Sequence, residues 1–168
     1  MRSLAEKLGY SAATIYLHFK NKEELIKEIG LHGYDRLAAA MEPSLAIDDP
    51  VRAVDDCARR YIDFGLANYP LYRLMFTDIS PTERTPQEQA RVMRSRDLAI
   101  ELYRRGMERG VFRRADLRVE TMIGWSLLHG FVQLAAEGRL PPNPDGSQAD
   151  VRAVREAIVA ARLAALRP

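Results

Sequence analysis

Helix start and stop signals punctuate this sequence from end to end, and they leave room for little besides helices. Thr85-Pro86-Gln87-Glu88 joins an N-cap, a proline at the first helical position and a glutamate at capping-box spacing, so it both satisfies and pre-sets a first turn. Asp49-Pro50 repeats the cap and proline, Asn21 stands three residues before Glu24, and Ser11 and Asp116 are further N-caps. Gly9, Pro43, Pro70, Gly106 or Gly110, Gly138 and the run Pro141-Pro142-Asn143-Pro144-Asp145-Gly146-Ser147 act as stops or loops, as does the stretch 80–84. About eight helical segments result, and no window alternates with period two for the length of a strand. Ala, Leu, Arg and Glu fill 74 of the 168 positions, a surplus of helix formers that agrees with the punctuation. The fold class is all-α.

Several chemistries are excluded. Cys57 is the one cysteine, so no internal disulfide forms, and beside Val54, Tyr61 and Phe64 it reads as inert packing. His18, His32 and His129 are the three histidines, and none pairs at metal-ligand spacing. No Gly-rich phosphate loop or Gly-x-Ser-x-Gly elbow occurs. The chain is therefore expected to be no enzyme, with no catalytic residues, no metal and no cofactor. No apolar run nears the ~18 residues of a membrane span, and the N-terminus lacks a signal-peptide core. A cytoplasmic protein with no membrane partner is expected. The net charge of +2 is too small to indicate a nucleic-acid partner, so that inference must rest on geometry.

The geometry lies at the N-terminus. Leu4, Ala5 and Leu8 form a short helical stripe ended by Gly9, and Ser11 opens a second short helix with Ile15 and Phe19 on its inner side. Two short helices joined by a Gly turn, with a small residue at Ala5 where they cross, form a helix-turn-helix layout whose second helix enters the major groove. The outer side of that helix is centred on Ala13 and Leu17. A Leu facing solvent on so short a helix has no packing purpose, whereas a base-facing Leu meets thymine methyls. Thr14, Tyr16, His18 and Lys22 are within reach of phosphates. The same pair of helices also suits an ordinary all-α core.

Residues 4–25 as a whole resemble the DNA-binding segment of the TetR (tetracycline-repressor-like) family. The string Thr14-Ile15-Tyr16-Leu17-His18-Phe19-Lys20-Asn21-Lys22-Glu23 follows the family pattern of Thr, apolar, Tyr, any, His, Phe, any, any, Lys, Glu. The resemblance implies a homodimeric, ligand-responsive transcriptional regulator, usually a repressor. By position it implies that Arg2, Ser11, Ala12, Ala13, Thr14, Tyr16, Leu17, His18 and Lys22 face DNA. Family members carry a further helix before this motif, so the resemblance also implies an internal methionine read as the start, or a truncation. Leu4, Leu8, Phe19 and Leu25 would then lack their covering helix.

Tyr69-Pro70-Leu71-Tyr72-Arg73-Leu74-Met75-Phe76 and Trp125-Ser126-Leu127-Leu128-His129-Gly130 resemble the C-terminal domain of one subgroup of that family, the second as a Trp-x-x-x-His-Gly signature. The implied division is a helix-turn-helix domain over 1–41 and an effector-binding and dimerisation domain over 45–168. Independently, the stretch 121–136 is apolar nearly all round, so it needs cover on more than one side. Gly124, Ser126 and Gly130 allow close helix approach. With the stripe Val151, Val154, Ile158 and Ala161 on the last helix, a four-helix bundle across a two-fold axis is expected. Tyr61 with Phe64, Tyr72 with Met75 and Phe76, Tyr103 with Met107, and Trp125 with His129 recur at helical spacing. Most suit core packing, and a few are expected to line a pocket for an apolar or aromatic effector.

The expectation is thus a repressor released from an inverted-repeat operator in double-stranded DNA by a small-molecule effector. The alternative is a dimeric helical ligand-binding or interaction module that does not bind DNA.

Overall fold

The computed structural model describes residues 1–77, 84–143 and 145–168, and the side chains of Arg2, Ala12 and Thr77 also fall outside the description. Of the loop expected over 80–84, only residue 84 is therefore described. The elements in order are α1 (Arg2–Leu8), α2 (Ala12–His18), α3 (Lys22–Met41), a 3-10 turn (Glu42–Ala46), α4 (Pro50–Ala67), α5 (Tyr69–Thr77), α6 (Pro86–Glu108), α7 (Leu117–Ala136) and α8 (Val151–Leu166). Among the described residues there is no strand.

The starts are made by the caps the sequence carries. Thr85 closes a full capping box, its hydroxyl taking the Glu88 amide at 3.2 Å while its own amide donates to the Glu88 carboxylate at 2.7 Å. At Asn21 the box is displaced by one residue: Asn21 Oδ1 takes the Glu24 amide at 2.8 Å, but the Glu24 carboxylate takes the amide of Lys20. Asp49, Asp116 and Asp150 each accept one or more first-turn amides. Two boundaries differ from expectation. The chain does not simply fade at Pro43 but tightens into the 3-10 turn. α5 begins at Tyr69 rather than Leu71, since Pro70 sits in a first turn, where its missing amide costs nothing; the first bond runs from Tyr72 back to the Asn68 carbonyl at 2.8 Å.

α4 is the central helix. It packs against α3, α6, α7 and α8, and its residues Val54, Cys57, Ala58, Tyr61 and Ile62 are buried in the main core. The second half of α3 joins the same core through Leu31, Tyr34, Leu37 and Met41. α3 therefore runs without a break from the N-terminal helix pair into the body of the molecule. Ion pairs tie it sideways to α6: Lys27 to Glu88 at 2.7 Å, and Arg91 to Glu28 and Asp35 at 2.9 and 2.7 Å. At the N-terminus, Leu4 and Leu8 are exposed, while Phe19 and Leu25 are half-buried.

α7 is two-sided, as its composition requires. Thr121, Gly124, Leu128, Phe131 and Val132 face inward, whereas Val119, Met122, Ile123, Leu127 and Leu134 remain exposed. Gly124 allows a close approach of α6 within the same chain. A Cβ there would collide with the Tyr103 hydroxyl of the same chain, whereas one on Gly130 would meet nothing.

Candidate nucleic-acid interface and effector cavity

The turn between α1 and α2 is made by Gly9, whose φ of 73° lies in the left-handed region that glycine enters without a Cβ penalty. Ala5 is buried at the crossing and Ile15 closes the inner side. The opposite side presents Ala13, Tyr16, Leu17, His18 and Lys22, all exposed, with Leu17 at 82%. Ser11 and Thr14 are already engaged. The Ser11 oxygen accepts the Thr14 amide at 3.1 Å, and the two hydroxyls lie 2.8 Å apart. Their first duty is thus to cap α2, and one of the two hydroxyl protons stays free to meet a phosphate. Of Arg2 and Ala12 only the backbone is described.

The second site is a cavity of about 680 Å³ walled by α3, α4, α5, α6 and α7. Five of the expected residues line it: Tyr61, Met75, Phe76, Tyr103 and Trp125. Four do not. Phe64 lies a turn further along α4, under the Arg36 guanidinium at 5.8 Å. Tyr72 is fully buried behind Tyr61, His129 stands behind Tyr72, and Met107 is half-buried against the core outside the lining. Aromatic spacing along a helix reveals that residues share a face, not how far along that face a cavity extends. Cys57 is buried as expected, yet it is part of the wall. Burial pushes its thiol up to about 12, so it contributes surface rather than reactivity. The sequence reading missed the contribution of α3, through Tyr34, Leu37 and Met41, and much of α6. Val92, Ser95, Ala99 and Tyr103 on α6 do recur at helical spacing, but mixed polarity hides them.

Polar groups in the wall are largely occupied. Trp125 donates its ring N–H to the Tyr61 hydroxyl at 3.0 Å, the Tyr61 and Tyr72 hydroxyls lie 2.7 Å apart, and Tyr72 lies 2.7 Å from His129 Nδ1. On its other side, His129 Nε2 lies 3.4 Å from the Gln133 amide nitrogen, so both ring nitrogens of neutral His129 have a partner. Burial holds His129 below its ordinary value. Tyr34 donates to the Met75 carbonyl at 3.0 Å and Thr121 to the Leu117 carbonyl at 2.6 Å. Behind the wall, Arg162 of α8 holds the carboxylate and the backbone carbonyl of Glu120, both at 2.9 Å, and both residues are almost fully buried. Arg113 binds the other carboxylate oxygen.

A helix-turn-helix pair carried on a helical body with an internal apolar cavity defines a DNA-binding regulator that senses a ligand. Residues 1–29 match the family described as bacterial regulatory proteins, tetR family. Residues 54–163 match the tetracyclin repressor-like C-terminal domain. The chain belongs to the tetracycline-repressor-like family of transcriptional regulators. Among solved structures, it is similar to a protein with unknown function from Rhodococcus sp. RHA1, with 26% identity, a TM-score of 0.84, and coverage of 99% of this chain and 84% of that one. It is also similar to the TetR family transcriptional regulator PfmR from Thermus thermophilus, with 30% identity, a TM-score of 0.72 and coverage of 95% and 86%. AibR, solved in complex with isovaleryl coenzyme A and operator DNA, shares the fold at 20% identity and a TM-score of 0.67, with coverage of 99% and 86%. No curated protein matches the chain significantly. No helix among the described residues is long and apolar enough to cross a membrane.

Proposed function

We propose that this chain is a homodimeric repressor, released from an inverted-repeat operator when a small, mainly apolar or aromatic effector enters the cavity. Residues 1–41 read DNA, and residues 45–168 hold the effector and the partner subunit. It performs no catalytic step and acts in the cytoplasm, where its operator is. The observation that carries this reading is the position of α6. Ser95, Ala99 and Tyr103 of α6 lie in the cavity wall, and Glu88 and Arg91 of the same helix grip α3 through Lys27, Glu28 and Asp35. α3 follows α2 after three residues. A ligand that displaces α6 therefore moves the reading helix. Two such helices must sit about one DNA turn, ~34–36 Å, apart to engage both half-sites, so a small rotation of each is enough to release them. The exposed apolar side of α7 supplies the contact that fixes this spacing. AibR, with both an acyl-coenzyme A and operator DNA, supports the pairing of the two functions in this fold.

The test has two stages. The purified chain is used to select from a random DNA library, and an enriched inverted repeat is expected. Compounds that quench Trp125, the one tryptophan, are then titrated against the selected duplex. Loss of DNA binding on ligand saturation is the expected result. A chain that binds such compounds but enriches no sequence is the ligand-binding module instead.

A further inference from the structure

We propose that the Tyr103 hydroxyl is the polar anchor of the cavity, and that it takes the oxygen of a carbonyl-bearing, otherwise apolar ligand. This deepens the effector reading above and rests on it.

Among the described residues, the buried hydroxyls of the wall belong to Tyr34, Tyr61, Tyr103 and Thr121. Three are already engaged at close range. Tyr34 and Thr121 donate to backbone carbonyls. The Tyr61 hydroxyl has two side-chain partners, accepting from Trp125 at 3.0 Å and lying 2.7 Å from the Tyr72 hydroxyl. Tyr103 differs. Its oxygen accepts from Arg162 Nε at 3.4 Å, and its own proton has no acceptor among the described residues. A buried donor without a partner is costly to leave unmet, and both Tyr103 and Gly124, which the hydroxyl adjoins, line the cavity.

The surroundings suit an electron-rich oxygen. The Arg162 guanidinium lies 4.9 Å from the Tyr103 ring centroid and is itself almost fully buried. Arg162 and Arg113 together face the single carboxylate of Glu120, which leaves one net positive charge behind the phenol. That charge strengthens the hydroxyl as a donor. Burial raises the phenol pKa against the opposing pull of Arg162, so the proton is present at neutral pH. Gly124, also in the wall, makes room: a Cβ there would occupy the place of the hydroxyl. The other buried side chains of the wall are mainly Val, Leu, Met and Ala, while the lining arginines Arg96 and Arg118 are exposed and paired with Asp97 and Asp116, and Arg84 and Ser95 complete the polar part of the lining. A ketone, aldehyde or ester with an apolar body matches a buried neutral donor set in the apolar part of the wall.

The experiment compares benzylacetone with butylbenzene, which differ by a carbonyl in place of a methylene, by quenching of Trp125. In Tyr103→Phe, benzylacetone should weaken by about threefold to tenfold, the range of a single neutral hydrogen bond, while butylbenzene binds as before. Tyr34→Phe should leave the ratio of the two unchanged. Equal changes for both probes, or no change for either, overturn the anchor and leave the cavity reading standing. Failure of both probes to quench Trp125 in the wild type overturns the anchor and the effector site together. A second measurement needs no variant: the carbonyl stretch of bound benzylacetone should shift to lower frequency than in hexane. An unshifted stretch would overturn the anchor.

Discussion

Lys27 Nζ lies 2.7 Å from a carboxylate oxygen of Glu88, and through this pair the helix that leads out of the DNA-reading unit is pinned to the first turn of the helix that walls the cavity. Glu88 performs two duties at once. One oxygen meets Lys27, and the other receives the Thr85 amide that closes the capping box. Both bonds favour the ionised carboxyl, and they hold Glu88 below its ordinary value, Lys27 contributing most.

From this follows a pH signature. A carboxyl with a depressed native pKa adds stability that is present above the unfolded value and lost as the pH falls through the native one. Glu88→Gln should therefore melt below wild type at neutral pH. The gap should close as the pH falls below the ordinary value of 4.5. Circular-dichroism melts across that range measure it, and a gap that persists undiminished in acid would refute the ion-pair origin. Thr85→Ala, which removes the cap alone, should cost about 1 kcal/mol.

His129 gives a second and distinct acid limb. Its native value lies below the ordinary 6.5 because of burial, so the neutral ring is the native form. Its contribution is complete above 6.5 and is lost as the pH drops below that, where the unfolded chain takes up the proton first. His129→Gln should flatten the melting temperature against pH just below 6.5. An unchanged profile would show that the ring titrates freely.

At the DNA surface, affinity and sequence preference should separate. Lys22→Ala should weaken binding to all duplexes alike and reduce the salt slope by about one. Leu17 is 82% exposed, so Leu17→Ala should leave stability unchanged and relax preference at one thymine per half-site. Library selection with both variants reads this. If Lys22→Ala altered the selected sequence while Leu17→Ala did not, the roles would be reversed.

Two glycines should respond in opposite ways. A Cβ on Gly106 would run into the buried ring of Phe112, so Gly106→Ala should destabilise by about 1–3 kcal/mol through overpacking. Gly130→Ala meets nothing within the chain and should stabilise the subunit by up to about 1 kcal/mol through helix propensity. If the exposed side of α7 seats the partner, Gly130→Ala should also weaken dimerisation. Ile123→Glu, on that exposed side, should give a folded monomer on sedimentation, and a dimer in this variant would move the interface elsewhere.

The sequence reading succeeded where the physics is local. Ser11 bonds Thr14, Asn21 bonds Glu24, and Thr85 bonds Glu88, all three residues apart, so the caps and the helices they start are visible to a reader of short windows. The helix-turn-helix is of the same kind: Gly9, Ala5 and the exposed Leu17 make sense within a score of residues. Even here, neighbours decided details, since the Glu24 carboxylate chose the Lys20 amide over that of Asn21.

The cavity belonged to the tertiary structure. Tyr103 and Phe64 carry the same signal in the sequence, an aromatic at helical spacing on an amphipathic helix. One lines the chamber and the other packs beyond it. What separates them is contact with helices distant along the chain. Arg162, which gives Tyr103 its neighbouring charge, lies 59 residues away, and Lys27 meets Glu88 only because α3 and α6 are neighbours in space. Backbone hydrogen bonds close within a helical turn, so the chain determines its helices one by one. An empty space is bounded by all of its walls together, and no single segment specifies where the others will stand.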